Sequence, residues 1–153
     1  MSRKHLHRST KTYGHDLGFS VAFRQWRAQS HCRLLHGYSL AFRFEFAAEE
    51  LDLRNWVVDF GGLKGLKAML EQNFDHKTVI SADDPELAWF EDGARRGVLD
   101  LVVLPAVGCE KFAEFIFECA EQWLKDAGFS PRCRLTSVEV KEHGANSAIY
   151  SKE

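Results

Sequence analysis

The sequence predicts an α+β domain in which an antiparallel sheet carries its helices on one face. The first indication is a strand over 38–47, whose alternation places four large apolar side chains on one face: Leu40, Phe42, Phe44 and Phe46. The second is a long amphipathic helix over 109–127, in which apolar residues recur at helical spacing. The third is the short spacing between neighbouring strands, which suits hairpins and therefore favours antiparallel pairing.

The other elements follow from the same patterns, in chain order. The segment GFSVAFR predicts a first strand over 18–24, and a polar, arginine-bearing stretch over 25–35 follows it. A short apolar run over 56–60 leads into a helix over 61–74, whose apolar residues repeat with the helical period.

The second half of the chain adds a short helix and three strands. An Asp-Asp-Pro start signal precedes the short helix over 86–96, and LDLVVL predicts a strand over 99–104. Gly128 ends the long helix, and strands over 133–141 and 148–151 follow. Two main helices cannot cover both faces of such a sheet. Its exposed edges then need partners, which predicts an oligomer.

Composition narrows the class of protein. The chain has 153 residues, 45% hydrophobic and 27% charged, as in one soluble globular domain. No apolar run reaches the roughly 18–20 residues that span a bilayer, and the N-terminus lacks the apolar centre of a secretory signal. We therefore expect a cytoplasmic protein without a membrane contact. The formal net charge of −2 argues against binding nucleic acid through bulk charge.

A basic N-terminal arm over 1–17 precedes a single domain over 18–153. The first twelve residues carry four basic side chains and no acid: Arg3, Lys4, Arg8 and Lys11. Such an arm is either solvated and frayed or a binding site for anions. A nucleic-acid contact is a weaker third hypothesis.

The densest group of reactive side chains lies in the segment SHCRLLHGY over 30–38. His31, Cys32 and His36 fall within six residues there. Histidine and cysteine are common zinc ligands, and a thiolate near a histidine is a base or nucleophile. The alternative is two loop histidines and a structural cysteine. The four cysteines form no CxxC pair, which argues against a zinc ribbon or a disulfide scaffold and favours reduced thiols: Cys32, Cys109, Cys119 and Cys133.

Three acidic positions are candidates for acid–base chemistry or binding. Asp75 precedes His76, and a carboxylate beside an imidazole makes a general acid–base couple. Glu142 ends a predicted strand, where a carboxylate can accept two parallel hydrogen bonds from a guanidine-like ring edge. Glu110 lies in the first turn of the long helix and complements its dipole. Each position also has a plain structural interpretation, as a solvated helix or strand end.

Taken in order, six segments resemble the 6-pyruvoyl-tetrahydropterin synthase / 6-carboxytetrahydropterin synthase (QueD-like) family. They span nearly the whole chain: FSVAF (19–23), CRLLHGYSL (32–40), WVVDFGGLK (56–64), FDH (74–76), VGCE (107–110) and VEVKEH (138–143). The WVVDFGGLK segment and the Cys-x3-His-Gly spacing are the most specific. The resemblance implies the tunnelling fold, a four-stranded antiparallel sheet with two main helices on one face. Subunits of such proteins join their sheets into a β-barrel, commonly as a trimer or hexamer, with sites between subunits.

The resemblance also implies roles for residues. Members act on 7,8-dihydroneopterin triphosphate with a bound zinc that polarises the side-chain hydroxyls. In this chain Cys32 matches the catalytic cysteine, Asp75 and His76 match the proton-relay pair, and Glu142 matches the carboxylate that anchors the pterin ring. Glu110 matches a second motif acid. His36 matches one zinc ligand, and three arginines near Cys32 are candidates for holding the triphosphate: Arg24, Arg27 and Arg33.

Two family zinc positions differ in this chain. Phe23 stands where the family has a histidine, and Tyr38 replaces the second histidine of His-Gly-His. Three explanations stay open: a relocated zinc set, a chain that works without zinc, or a chain that has lost lyase activity and only binds pterins. Candidates for a relocated set are four histidines: His15, His31, His36 and His143.

Because the cysteine, the Asp-His pair and the anchor glutamate are all present, the sequence favours an active enzyme. The predicted function is a 6-carboxytetrahydropterin synthase-like lyase in 7-deazaguanine (queuosine/preQ0) biosynthesis. The alternatives are a metal-free or non-catalytic oligomer that binds pterins or purines, and 6-pyruvoyl-tetrahydropterin synthase. A GTP cyclohydrolase is disfavoured by the Cys-x3-His-Gly and WVVDFGGLK segments.

Overall fold

The computed structural model describes residues 2–152. The strands of this part of the chain are β1 His7–Tyr13, β2 Phe19–Phe23, β3 His36–Ala48, β4 Lys77–Ser81, β5 Leu101–Leu104, β6 Arg134–His143 and β7 Asn146–Ser151. Its α-helices are α1 Lys64–Phe74, α2 Leu87–Arg95 and α3 Cys109–Asp126. Within residues 2–152, none of the helices combines the length and the apolar character needed to cross a membrane.

The long strand β3 organises the sheet. Along one of its edges, β2 pairs with the first part of β3 and β1 pairs with the second part, both antiparallel. Strand β6 pairs antiparallel with the other edge, and β7 pairs antiparallel with β6. These pairings confirm the predicted four-stranded antiparallel sheet, with β1 and β2 sharing one position. The whole sheet is nevertheless mixed, because β4 pairs parallel with β2 and β5 pairs parallel with β4.

The prediction of a frayed basic arm is wrong for residues 7–13, which form β1. The strand pairs with β3 from His7 opposite Ala48 to Tyr13 opposite Phe42. Its last residue, Tyr13, is 4% exposed and belongs to the core. These residues are ordered because their backbone forms a hydrogen-bonded ladder with an otherwise open edge of β3.

The predicted apolar faces of β3 and α3 form the core. Leu40 and the three alternate phenylalanines of β3 are fully buried: Phe42, Phe44 and Phe46. From the helix side, α3 buries Phe112, Ile116 and Phe117 against the same face. Helix α1 adds Phe74, whose ring lies 5.5 Å from that of Phe42. The two main helices therefore share one face of the sheet, as predicted.

Candidate active site

Three aromatic rings meet where β2 ends and β3 begins. Phe23 is paired with His36 in the β2–β3 ladder, and Tyr38 follows two residues later on the same face of β3. The ring centroids of Phe23 and His36 lie 5.3 Å apart, those of His36 and Tyr38 lie 5.4 Å apart, and those of Phe23 and Tyr38 lie 6.0 Å apart. We call these residues the aromatic triangle. Phe112 of α3 packs against the triangle, with its ring centroid 5.2 Å from that of Phe23.

The loop that carries Cys32 is tied down beside this triangle. Cys32 lies in a single 3₁₀ turn, and the Oγ of Ser30 accepts a hydrogen bond from its backbone N–H (3.3 Å). The carbonyl of Cys32 accepts from the N–H of Gln25 (2.9 Å). In turn, the Nε2 of Gln25 donates to the carbonyl of Val107 (2.9 Å), just before α3. The half-buried thiol is thereby held near the start of that helix.

Gly108 allows this close approach. Its φ of 109° lies in the region that favours glycine. A Cβ at this position would lie 2.3 Å from the Nε2 of Gln25, which is inside contact distance. The backbone angle therefore requires the glycine of the VGCE segment, and the Gln25 amide that ties down the Cys32 loop occupies the space that a Cβ would fill.

Cys109, the first residue of α3, lies against Glu142 at the end of β6. Burial, together with the charges of the Glu142 and Glu110 carboxylates, raises the pKa of the Cys109 thiol to about 12. The thiol therefore keeps its proton at neutral pH, within hydrogen-bonding reach of the Glu142 carboxylate. This contact orients Glu142, while Glu110 stays exposed in the first turn of the helix.

Tyr38 is the residue around which these groups converge. Burial raises its pKa above 10.0, and the charges of Glu142, Cys32 and Cys109 act in the same direction. The ring of His143 lies 6.1 Å from that of Tyr38. The structure thus brings together Cys32 and Glu142, two of the residues predicted to form the site, although 110 residues of sequence separate them.

The Asp75–His76 couple is formed, but one chain does not place it beside Cys32. The Nδ1 of His76 lies 2.7 Å from Oδ1 of Asp75, and the His76 side chain is 83% exposed. His76 adopts a φ of 57°, an uncommon angle for a residue other than glycine. It precedes Lys77, which pairs with Val21. Gln25, the backbone partner of Cys32, lies four residues beyond Val21, or about 13 Å of extended chain.

The three arginines have partners within the chain. Arg24 makes a bidentate pair with Asp84, from Nε to Oδ2 (2.8 Å) and from Nη2 to Oδ1 (2.6 Å). Arg27 pairs with Asp83 (2.9 Å), and Arg33 donates to the carbonyl of Ser30 (3.2 Å). The guanidinium fork of Arg24 is therefore filled within the chain, and the triphosphate contact of the three arginines stays a prediction.

The pair around Asp83 predicts a loss of stability in acid. Hydrogen bonds from Ser81, Arg27 and Trp26 lower the pKa of Asp83 to about 2, from 3.8 in the unfolded chain. Between these two pH values the unfolded chain binds more protons at Asp83 than the folded chain does. The contribution of Asp83 to stability is therefore complete above about pH 4 and is lost as the pH falls towards 2. We expect Asp83→Asn to flatten the fall of the melting temperature between pH 5 and pH 2. An unchanged slope would contradict this assignment.

The residues present do not fit a zinc centre. The Nδ1 of His15 bonds the carbonyl of Ser39 (2.6 Å), the Nδ1 of His36 bonds the carbonyl of Leu34 (2.7 Å), and His31 is exposed on its own turn. Within residues 2–152, no three histidine, cysteine or acidic side chains are arranged to hold a metal. In the part of the chain that the structure describes, the predicted ligands His15, His31 and His36 are therefore not brought together, and no relocated set including His143 forms.

Sequence reasoning missed Gln25 and Cys109 as parts of this site. Gln25 acts through hydrogen bonds to the nearby Cys32 and to Val107, 82 residues away in sequence, and no local pattern predicts such a role. Cys109 carried a usable signal, since it follows a glycine at a predicted helix start in a segment that already matched the family.

Comparison with known proteins finds relatives of similar sequence. A relative from Aquifex aeolicus named 6-carboxy-5,6,7,8-tetrahydropterin synthase is 26% identical over 141 residues, which cover 89% of this chain and 85% of the relative. A relative of the same name from Rickettsia conorii is 34% identical over 70 residues. That match covers 45% of this chain and spans about half of the relative (51%).

Solved structures confirm the predicted tunnelling fold. An uncharacterized protein from Wolinella succinogenes superposes with a TM-score of 0.81 at 21% identity, covering 97% of this chain and 99% of that one. The 6-pyruvoyl tetrahydropterin synthase of Plasmodium falciparum gives 0.64 at 16% identity, covering 96% and 98%. The sequence model of the family described as 6-pyruvoyl tetrahydropterin synthase matches residues 14–153. The chain therefore belongs to the 6-pyruvoyl tetrahydropterin synthase family.

Proposed function

We propose that this protein is a lyase of the 6-carboxytetrahydropterin synthase type, acting on 7,8-dihydroneopterin triphosphate in the cytoplasm on the route to 7-deazaguanines such as queuosine. The observation that carries the proposal is the convergence of the Cys32 thiol and the Glu142 carboxylate on the ring of Tyr38. The names of the Aquifex aeolicus and Rickettsia conorii relatives support this activity over that of 6-pyruvoyl-tetrahydropterin synthase.

Glu142 supplies the ring contact in this proposal. A pterin presents an amino group and a ring N–H side by side, and a carboxylate accepts both in two parallel hydrogen bonds. Glu142 is half-buried at the end of β6, and the Cys109 thiol lies within reach to hold one orientation of its carboxylate. The pterin ring edge would therefore enter beside Tyr38, with the substrate side chain directed towards Cys32.

Cys32 supplies the base. As a thiolate, its sulfur takes a proton from the side-chain carbon next to the ring, and the electron pair passes into the adjacent carbon–nitrogen double bond of the dihydropterin. Such acid–base help contributes about 10²- to 10⁴-fold. The Asp75–His76 couple would reach this sulfur from a second copy of the chain, because it lies away from Cys32 in one chain and its imidazole is 83% exposed. A trimer or hexamer built through the sheet edges would form such shared sites.

Turnover of the substrate tests the proposal directly. The purified protein is incubated with 7,8-dihydroneopterin triphosphate, with and without zinc, and the products are identified by mass. We expect 6-carboxytetrahydropterin. The appearance of 6-pyruvoyl-tetrahydropterin would assign the other family activity. Unchanged substrate that remains bound would instead support the non-catalytic pterin-binding oligomer, which the replacement of two family zinc ligands by Phe23 and Tyr38 favours.

The substitution Glu142→Gln is expected to weaken pterin binding. A hydrogen bond to a charged group contributes about 1.5–3 kcal/mol, so the Kd for neopterin should rise by about 10- to 150-fold. The binding is followed by the fluorescence of the pterin. Glu139→Gln, on the same strand, is the matched control, since its carboxylate accepts a hydrogen bond from Ser147 (2.8 Å) outside this site. Equal affinities of the two variants would remove Glu142 from the ring contact.

A further inference from the structure

The aromatic triangle cannot act as a three-ligand metal site. Phe23 is 1% exposed and offers only carbon atoms, and its ring is fixed between His36 and Phe112. The Nδ1 of His36 lies 2.7 Å from a carbonyl oxygen, so it carries the proton and leaves only Nε2 as a ligand atom. A tetrahedral zinc site with one open position needs three protein ligands. The His36 nitrogen and the Tyr38 oxygen together provide at most two, which does not meet that need.

The triangle does contain one group suited to contact a substrate. Tyr38 is half-buried, and the phenol is the only oxygen that the three side chains provide. Glu142 and Cys32, the ring anchor and the base of the proposed function, are both close enough to this phenol for their charges to raise its pKa. The side-chain oxygen of a pterin held by Glu142 and presented to Cys32 would therefore pass close to the Tyr38 hydroxyl.

Building on the proposed function, we infer that the site works without a metal and that the Tyr38 hydroxyl donates a hydrogen bond to the substrate's side-chain oxygen. This oxygen is carried by the carbon that loses its proton to Cys32. The hydrogen bond withdraws electron density from that carbon and stabilises the charge that develops as the proton moves. The phenol keeps its own proton throughout. His36 and Phe23 serve as positioning residues that fix the tyrosine ring from two sides.

Zinc titration tests the metal-free half of the inference, independently of turnover. The wild-type protein is compared with the double variant Phe23→His, Tyr38→His, which restores three imidazoles at the triangle. Loss of an outer-shell partner alone costs about 10- to 100-fold in metal affinity, so two added ligands should tighten zinc binding by at least about 100-fold. Competition with a chromophoric chelator measures the affinity. Tight binding of one zinc per chain by the wild type, unchanged in the double variant, would overturn this half.

Turnover in a chelator-treated buffer tests the role of Tyr38. Loss of one preorganised donor costs about 10²- to 10³-fold in kcat, so Tyr38→Phe should lose this much, while its Kd for neopterin rises only by the about 2- to 10-fold of one neutral hydrogen bond. Tyr150→Phe is the matched control, because Tyr150 packs on Phe117 away from the triangle. Full activity of Tyr38→Phe, or wild-type turnover that requires zinc, would overturn the inference and leave the proposed lyase standing.

The two levels of proposal fail in distinguishable ways. If the wild type forms no product with or without zinc, the proposed lyase is wrong and the role of Tyr38 falls with it. The zinc titration still decides in that case whether the triangle holds a metal.

Discussion

Cys32→Ala is expected to lower turnover of 7,8-dihydroneopterin triphosphate by at least about 10²- to 10⁴-fold, the range that one acid–base group contributes. The thiol is half-buried and its loop is fixed by backbone hydrogen bonds to Ser30 and Gln25, neither of which uses the sulfur. The variant should therefore keep its fold and its Kd for neopterin. The loss should appear in kcat, measured by product formation under saturating substrate.

Cys119→Ala is the matched control for this experiment. Cys119 is a half-buried cysteine on α3, and burial raises the pKa of its thiol, so it is chemically the same change at a position outside the site. We expect its kcat to equal that of the wild type. Equal turnover by Cys32→Ala and wild type would exclude Cys32 as the base, even if the reaction itself proceeds.

The elements with strong periodicity could be predicted from the sequence. The alternation in β3 and the helical spacing in α3 each report one buried face, and the structure buries Phe42 and Phe112 fully on those faces. Motif order then indicated how the elements are connected. Local pattern and global fold agree most closely where one face of an element is apolar.

Strands β1 and β4 could not be predicted in the same way. Strand β1 carries mostly polar side chains, and its order depends on pairing with β3 about 35 residues away in register. Strand β4 is only five residues long and pairs parallel with β2, from which β3 and α1 separate it along the chain. Neither pairing leaves a signal within a short window of sequence.

The residues of the site divide in the same way, into features that the sequence shows and features that depend on the fold. Cys32, Glu142 and the Asp75–His76 couple were found because they lie in matching segments, but the convergence of Cys32 and Glu142 depends on the fold. The arginines were assigned to phosphate because charge near Cys32 is visible in the sequence. Their partners are not visible, since Asp84 lies 60 residues from Arg24.

That buried pair leads to the prediction with the largest effect on stability. The Asp84 side chain is 1% exposed and that of Arg24 is 18% exposed. Asp84 also accepts a hydrogen bond from the N–H of Glu86 (2.8 Å), next to the start of α2. Removing one member of a buried pair leaves an uncompensated charge and costs about 3–5 kcal/mol. We expect Asp84→Ala to lower the free energy of unfolding by about 3 kcal/mol, the lower end, because Arg24 keeps some contact with solvent.

The neighbouring residue provides the control, and denaturant titration provides the measurement. Asp83 pairs with Arg27, but the side chains are 53% and 73% exposed, so Asp83→Ala should cost only about 0–1 kcal/mol at neutral pH. Equal losses from the two variants would show that burial does not set the cost.

The cause is isolated by a double variant, Arg24→Met with Asp84→Leu, which removes both charges. Because apolar replacements of a buried pair are often neutral, this variant should recover most of the stability that Asp84→Ala loses. A double variant as unstable as Asp84→Ala would instead assign the loss to the contacts of Asp84 with the start of α2.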